Sequence, residues 1–318
     1  MPFFFSVSAG SGLSGSFPEG IFYWPLLSSI NFVLGNLTGP LPTQLGKKLK
    51  HLTKVYLGRN YFTGSIPDEW WQARQFRRLS LTKNLLTGFL PPEMGNLLDL
   101  TEVAFSQNHF TGTIPTDVGL LNGLYWFDLS RNDLEGTIPP TIQHWEKIEK
   151  LDLRQNRLEG TIPAAIGSLK KLESLKLSNN PLLSGSLPES MFSLLRLEVL
   201  ALHACSFSGT LSPRVAGLKE LQVLQVSNNK FSGEIPRELA GLENLWKLWL
   251  HGNLLTGTVP NEVCSRFENV DADSDEVLIE YKADCLSFGG GSSKVECICC
   301  TGCCSAGRVG LTCVDMGL

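Results

Sequence analysis

The chain has 318 residues, 18% of them charged, and a formal net charge of −4. A charged fraction below the ~25% of an average soluble domain argues against a disordered chain. The weak net charge gives no electrostatic footprint for nucleic acid or for an anionic membrane surface. No apolar run approaches the roughly 20 residues of a transmembrane helix. The start, MPFFFSVSAGSG, lacks the basic segment and the long apolar stretch of a signal peptide.

A glycine-containing motif recurs along most of the chain. Its glycines follow one another every 24 or 25 residues, and the consensus of the copies is L-x-x-L-x-L-x-x-N-x-L-[ST]-G-x-I-P, from which single copies depart at individual positions. The glycines are Gly15, Gly39, Gly64, Gly88, Gly112, Gly136, Gly160, Gly185, Gly209, Gly233 and Gly257. A fixed period of this length predicts stacked supersecondary units that share one core.

Each part of the repeat predicts a local structure. The L-x-L pair, such as Leu79 and Leu81, alternates with polar residues and therefore predicts a short strand with one buried face. The glycine permits a tight bend, and the proline that follows fixes the outgoing path of the chain. Stretches such as PEMGNLLDL are expected to be irregular with short helical turns.

A column of asparagines precedes the glycines by four residues in most copies. We expect these side chains to point inward and to satisfy backbone groups that would otherwise be buried unpaired. Cys205 occupies the same position, two residues after His203, but no third catalytic group accompanies the pair. Cys205 is therefore predicted to be a buried structural thiol that asparagine could replace without loss of stability. The predicted ladder is Asn60, Asn84, Asn108, Asn132, Asn156, Asn180, Cys205, Asn229 and Asn253.

These copies resemble the leucine-rich repeat. The LTGxIP form resembles the subtype typical of plant extracellular receptors and polygalacturonase inhibitors, and the resemblance covers roughly residues 11–262. It implies an α/β solenoid: a right-handed superhelix with a parallel sheet on the concave face and an irregular, short-helical convex side. We therefore predict a solenoid over residues 1–262, with a degenerate first repeat, and a small cysteine-rich cap over residues 263–318.

The remaining eight cysteines crowd into the last part of the chain. An even number in so short a segment predicts a disulfide framework and an oxidising compartment, and a solenoid needs a terminal cap. A thiolate metal cluster is the alternative, but no histidine lies nearby, so no metal is predicted. The ADC…ECICCTGCC pattern resembles tails of algal leucine-rich repeat proteins. The cysteines are Cys264, Cys285, Cys297, Cys299, Cys300, Cys303, Cys304 and Cys313.

Motifs for catalysis are missing from the sequence. It contains no phosphate-binding loop, no H-E-x-x-H and no G-x-S-x-G, so we expect neither an enzyme nor a cofactor. Binding would then use the outward side chains of the concave sheet, two, four and six residues before each ladder position. Trp126 and Trp249 stand out, because aromatic side chains anchor interfaces, whereas charged ones are often merely solvated or paired across strands.

The candidate binding residues are Lys54, Tyr56, Arg78, Trp126, Asp128, Lys150, Asp152, Arg154, Lys176, His203, Gln225, Trp249 and His251. Other side chains expected to face outward in the same columns are Ser80, Thr82, Glu102, Ser106, Ser130, Ser174, Ser178, Ser227 and Lys247.

Two functions from different classes remain open. One is an extracellular, receptor-like or secreted recognition module for a protein, peptide or glycan ligand. The other is a structural, adhesive or polygalacturonase-inhibitor-like solenoid without a signalling role. A membrane anchor in a longer gene product would favour the first. The degenerate start predicts that the chain is a fragment or a mis-started gene product, and the sequon at Asn36 predicts glycosylation.

Overall fold

A computed structural model describes residues 5–8, 12–263, 280–282 and 295–296 of the chain. The chain forms two compact units, Met1–Leu158 and Glu159–Leu318. A typical repeat contributes a strand on its L-x-L pair, a second short strand around its glycine, and a helical turn after its proline. The predicted fold of stacked repeats with parallel strands and short helical turns is confirmed.

In the first unit, the L-x-L strands form the main sheet and the glycine-containing strands form a second sheet, all parallel. A single bridge between Phe89 and Thr111 spans a break in the second sheet. The main-sheet strands are Phe5–Ser8, Leu27–Asn31, Lys54–Tyr56, Arg78–Ser80, Glu102–Ala104, Trp126–Asp128 and Lys150–Asp152. The second-sheet strands are Ser14–Gly15, Asn36–Pro40, Tyr61–Gly64, Leu85–Leu86, Thr111–Thr113, Asp133–Gly136 and Arg157–Gly160, the last of which runs across the division between units.

The helical turns of the first unit follow the aliphatic–proline steps. Two are single α-helical turns, Gln44–Lys47 and Asp68–Trp71. The others are 3₁₀ turns: Glu19–Tyr23, Pro92–Asn96, Thr116–Leu120 and Pro140–His144. Proline at or before the start of a turn supplies the extended entry to it, since its ring fixes φ.

The second unit repeats this arrangement. Its main-sheet strands are Ser174–Lys176, Val199–Ala201, Val223–Gln225, Lys247–Trp249 and Glu280–Lys282. Its second-sheet strands are Leu182–Gly185, Ser206–Thr210, Lys230–Glu234, Leu254–Thr258 and Val295–Glu296. Its 3₁₀ turns are Ala164–Ser168, Glu189–Ser193, Pro213–Gly217 and Arg237–Gly241.

The core of each unit lies between the sheets and the helical turns. Both leucines of the L-x-L pair are buried, as Leu79 and Leu81 show, whereas Arg78 and Ser80 between and beside them are half-buried on the opposite face. That opposite face of the main sheet is called the outer face below. Because side chains alternate across a strand, the leucine period determines which residues reach the outer face.

A left-handed backbone conformation occurs directly before the ladder position in most repeats. Arg59, Gln155 and Ala204 are examples, with φ of 57°, 55° and 55°. This conformation costs an ordinary residue roughly 1 kcal/mol. This free energy is offset because the ladder side chain stabilises the sharp bend that the chain makes between its two strands. The sequence motif gives no residue type that marks this position.

The predicted cap falls largely outside the described residues. Of residues 263–318, the structure describes Val263, Glu280–Lys282 and Val295–Glu296, so all eight cysteines predicted to form disulfides lie outside them. Among the helices that are described, none has the length and apolar character needed to cross a bilayer.

Candidate functional site

The ladder asparagines bind the backbone of their own and the adjacent repeat. Asn108 is an example: its Nδ2 donates to the carbonyl oxygens of Leu81 at 3.0 Å and Phe105 at 3.1 Å. Its Oδ1 accepts the backbone N–H of Leu86 at 3.1 Å. The same pattern, with an Oδ1 acceptor and Nδ2 donors, occurs at Asn60, Asn84, Asn132, Asn156, Asn229 and Asn253. The column therefore links successive repeats through buried polar groups.

Cys205 lies in this column as a free, buried thiol. Its Sγ is 3.4 Å from the carbonyl oxygen of Leu177 and donates to it, as the ladder amides donate to the equivalent carbonyls. Burial raises the pKa of the Cys205 thiol to about 11, so the thiol stays protonated at neutral pH. Its surroundings are therefore those of a structural group rather than of a nucleophile.

The neighbouring repeat explains why a thiol fits here. Leu183 lies in the repeat before Cys205, at the position that Leu86 has relative to Asn108. Cysteine lacks the oxygen that would accept the N–H of Leu183. That N–H instead donates to the carbonyl of Asn180 at 3.0 Å. The extra residue in the stretch NPLLSG, which includes Pro181, makes this local hydrogen bond reachable. The insertion and the cysteine therefore compensate each other.

This geometry changes the expected effect of Cys205→Asn. The new Oδ1 would be buried while its natural donor, the N–H of Leu183, is already bonded, so we expect a loss of about 1–2 kcal/mol in the free energy of unfolding. Deleting Pro181 restores the ordinary spacing, and in that background Cys205→Asn should be neutral or stabilising. Urea titrations of the single and double variants measure this coupling. Equal effects of Cys205→Asn in the two backgrounds would contradict it.

The outer face of the first unit carries a connected polar network. The hydroxyl of Tyr125 donates to Oε2 of Glu102 at 2.9 Å, and Nε of Arg78 lies 3.8 Å from the same oxygen. Burial and this hydrogen bond raise the pKa of Tyr125 to about 12. A hydrogen bond with Tyr56 raises the pKa of Arg78. The polar groups of this network bind one another, so most of their hydrogen-bonding and charge requirements are met without a ligand.

Tyr125 was not among the predicted binding residues, because it lies one residue outside the three columns that define the outer face. Its position beside the start of the strand Trp126–Asp128 still lets its long side chain reach Glu102 on the neighbouring strand. An aromatic residue directly before a strand is the only sequence signal for this contact.

The remainder of the first unit's outer face carries both acidic and basic side chains. Trp126 is half-buried, in register with Glu102 on one side and Lys150 on the other. Asp128 accepts the N–H of Ser130 at 3.0 Å. Asp152 is buried, and its Oδ2 lies 3.2 Å from Nε of Arg154, so this pair forms within one repeat. Of the candidate residues here, Lys150 is exposed, whereas Lys54, Tyr56, Arg78, Asp128 and Arg154 are half-buried.

Several side chains expected to face solvent are buried. Glu102 is covered by its network, and serines two residues before the ladder pack against the adjacent turns of chain. A short side chain at this position is therefore enclosed by its neighbours. The buried serines are Ser106, Ser130, Ser178 and Ser227. Longer side chains in the same column, such as His203 and His251, stay half-buried.

The outer face of the second unit gathers four side chains from two repeats that are not adjacent in sequence, His203 from one and Lys247, Trp249 and His251 from the other. The imidazole of His203 and the indole of Trp249 have centroids 6.0 Å apart, in an edge-on arrangement. His251 lies 6.3 Å from Trp249, and Nζ of Lys247 lies 4.8 Å from the centre of the Trp249 ring. His203, Lys247, Trp249 and His251 are called the Trp249 patch below.

The two strands beside the patch carry small or neutral outward residues. Ala201, Gln225 and Trp249 are in register, as are Val199, Val223 and Lys247. Ala201 is buried, and Val199, Val223 and Gln225 are half-buried. The side chains next to Trp249 therefore protrude less than its ring, and the surface that they form is partly apolar. Lys176, beside Ala201 on the next strand, is half-buried.

Other sequence expectations concern modification and metals. Asn36 is exposed at the start of the strand Asn36–Pro40, a position that a glycan could occupy without displacing the core. Within the described residues, no group of three or more His, Cys, Asp or Glu side chains is arranged to hold a metal ion.

Comparison with known proteins agrees with this repeat geometry. Family models described as leucine rich repeat match residues 122–182 and 146–207, and a second pair of matches covers residues 51–73 and 220–242. The chain contains leucine-rich repeats. Comparison of its sequence with curated proteins gives no match.

Solved structures of plant proteins resemble this leucine-rich repeat protein. The plant peptide hormone receptor RGFR1 in complex with RGF2 is 32% identical with a TM-score of 0.78, covering 82% of this chain and 42% of the receptor. The ectodomain of the Arabidopsis receptor kinase HAESA, with a bound IDA peptide hormone, is 31% identical with a TM-score of 0.76, covering 81% and 43%. A plant ice-binding protein is 28% identical with a TM-score of 0.66, covering 79% and 80%. The chain thus spans less than half of either receptor structure.

Proposed function

We propose that this leucine-rich repeat protein is an extracellular recognition module without catalytic activity. It is either part of a receptor-like ectodomain or a secreted binder. In either role it binds a peptide through the Trp249 patch. The observation that carries the proposal is the position of Trp249, half-buried on the outer face and flanked by two imidazoles and an ammonium group. Two similar structures, those of RGFR1 and HAESA, hold peptide hormones, which supports a peptide ligand.

The chemistry of the patch suits a peptide side chain. A tryptophan buries a large apolar area with little loss of conformational entropy, and such residues dominate binding energy at interfaces. Lys247 is held over Trp249 and also lies 5.1 Å from the ring centre of Trp246, so its charge has a fixed position. The strand Val223–Gln225 is paired on both sides, so recognition there uses side chains and not the addition of a strand.

Trp249→Ala is expected to weaken peptide binding by about tenfold or more, because truncating a central aromatic anchor removes at least ~1.4 kcal/mol of binding free energy. Peptides would be selected from a random library displayed on phage against the full chain, then synthesised and titrated by fluorescence anisotropy. Trp24→Ala is the matched control, because Trp24 is an exposed tryptophan outside the main sheet.

Two outcomes would count against this function. If the selected peptides bind the Trp249→Ala and Trp24→Ala variants equally well, the patch is not the recognition site. If the protein inhibits a polygalacturonase and Trp249→Ala leaves that inhibition unchanged, the enzyme-inhibitor alternative is favoured over peptide recognition.

A further inference from the structure

Positive charge is concentrated in one part of the first unit. Residues 44–83 contain nine lysines and arginines and two acidic residues, a net charge of +7. The other residues carry 18 basic and 29 acidic side chains, a net charge of −11. The two acidic residues, Asp68 and Glu69, lie in the helical turn Asp68–Trp71, and Glu69 pairs with Lys47 at 2.8 Å. The small net charge of the whole chain therefore conceals a strongly basic region.

Two of these cations lie in one column beyond the ends of the main-sheet strands. Arg59 and Lys83 occupy the left-handed position directly before the ladder in successive repeats, with φ of 57° and 59°. The N–H of Arg59 donates to the carbonyl of Thr82 at 2.7 Å, which brings Arg59 next to Lys83. Both side chains are exposed, and neither forms an ion pair or a side-chain hydrogen bond with any residue that the structure describes.

Exposed apolar side chains adjoin these two cations. Leu34 precedes Arg59 in the same column, since its N–H donates to the carbonyl of Gly58 at 3.1 Å. Tyr61 and Leu85 form a second column, directly after the ladder asparagines. The exposed fractions of Leu34, Tyr61 and Leu85 are 53%, 52% and 44%. Folding alone does not explain a leucine at an exposed left-handed position, because asparagine or glycine adopts that conformation at lower cost.

The same two columns are polar in the later repeats of this unit. The residues directly before the ladder are Gln107, Arg131 and Gln155, and those directly after it are His109, Asp133 and Arg157. Arg157 pairs with Asp133 at 2.6 Å. Among the described repeats of the first unit, the combination of unpaired cations with exposed apolar side chains is therefore confined to those that contain Leu34, Arg59 and Lys83.

We infer that Leu34, Arg59, Tyr61, Lys83 and Leu85, called the basic edge below, bind a segment of another protein in which acidic and apolar residues alternate. Successive side chains of an extended segment point to opposite sides, and those on one side are about 6.6 Å apart. Such a segment, lying across repeats stacked about 4.8 Å apart, presents carboxylates to the column of Arg59 and Lys83 and apolar side chains to the column of Tyr61 and Leu85. The long arginine and lysine side chains accommodate the difference in spacing.

The apolar side chains of the basic edge determine the class of partner. A polyanion that offers charges alone gains affinity from the cations but leaves Leu34, Tyr61 and Leu85 in water. A protein segment can cover both groups, and tyrosine and arginine are enriched at protein interfaces. Charge complementarity selects an acidic segment over a basic one. The basic edge and the Trp249 patch share no residue, so this inference does not depend on the proposed function.

The test titrates the full chain with a fluorescent, end-capped peptide, Asp-Leu-Asp-Leu-Asp, at about 0.15 M salt. The double variant with Arg59→Asn and Lys83→Asn should bind the peptide at least about tenfold more weakly. Asparagine preserves the backbone, because Asn179 and Asn228 adopt the same left-handed conformation, with φ of 59° and 53°. Every sample carries Asn36→Gln, because a glycan at that predicted sequon would lie in the column of Tyr61, one repeat earlier.

Arg74→Gln combined with Arg77→Gln is the matched control. Both side chains are exposed and remove the same charge at the other end of the strands. They lie roughly 15 Å from the basic edge, beyond the screening length of about 8 Å, so affinity should change by less than about twofold. The peptide Asp-Ser-Asp-Ser-Asp, with equal charge, should bind at least about tenfold more weakly than the leucine peptide. The peptide Lys-Leu-Lys-Leu-Lys should not bind.

Several results would overturn the inference. They are a failure of the aspartate–leucine peptide to bind, undiminished binding by the double asparagine variant, equal losses in the two double variants, and binding of the lysine peptide. Equal affinities for the leucine and serine peptides would also do so, since the surface would then attract polyanions in general.

Discussion

Asn108→Ala is expected to lower the free energy of unfolding by about 3–4 kcal/mol. The buried amide of Asn108 accepts the N–H of Leu86 and donates to the carbonyls of Leu81 and Phe105. Alanine leaves the N–H of Leu86 in the core without an acceptor, which costs about 1–3 kcal/mol. The two carbonyls each lose one of two donors, a smaller loss, since Asn84 and Asn132 also donate to them.

Asn122→Ala is the matched control for this prediction, because Asn122 is an exposed asparagine of the same unit outside the ladder. Its replacement should change the free energy of unfolding by less than about 0.5 kcal/mol. Urea titration followed by far-UV circular dichroism measures both variants. If Asn108→Ala were as mild as Asn122→Ala, the ladder would not stabilise the stack, and the buried hydrogen bonds would have to be replaced by water.

Gly167→Ala is expected to lower the free energy of unfolding by about 2–3 kcal/mol, although alanine is ordinarily the better residue in a helical turn. A Cβ at Gly167 would lie 2.5 Å from Cβ and 2.6 Å from the carbonyl oxygen of Ser190 in the next repeat. Because that oxygen accepts the hydroxyl of Ser193 at 2.7 Å, the backbone there cannot move away without losing this hydrogen bond. The helical turns Ala164–Ser168 and Glu189–Ser193 must therefore separate.

Gly217→Ala separates this effect from a general intolerance of alanine. Gly217 ends the turn Pro213–Gly217 in the same unit, and the nearest atom to a Cβ there is the carbonyl oxygen of Phe192 at 3.5 Å, an ordinary contact. The substitution should be neutral or stabilising by up to about 1 kcal/mol, since alanine reduces the freedom of the unfolded chain. Thermal and urea unfolding of the two variants, run side by side, distinguish the cases. Similar losses in both would contradict the packing explanation.

The repeated pattern made much of the fold predictable from the sequence. A leucine at every second position defines the buried face of each short strand, and a fixed period requires that successive strands stack in parallel. The asparagine column could be assigned for the same reason, because a polar residue that recurs beside buried leucines must find backbone partners. The position of Trp249 on the outer face also followed from this register, which depends on local geometry alone.

Contacts between repeats were decided by the tertiary structure. The expectation that asparagine would serve as well as Cys205 depended on the repeat motif alone. The N–H of Leu183, however, has a different partner because of a residue inserted next to Leu183, more than twenty positions before Cys205. Two other contacts also depend on the direction of side chains across strands. They are the ring contact between His203 and Trp249 and the hydrogen bond from Tyr125 to Glu102. A one-dimensional pattern specifies which face a residue occupies, whereas rotamers, register and close backbone approach determine which neighbours it touches.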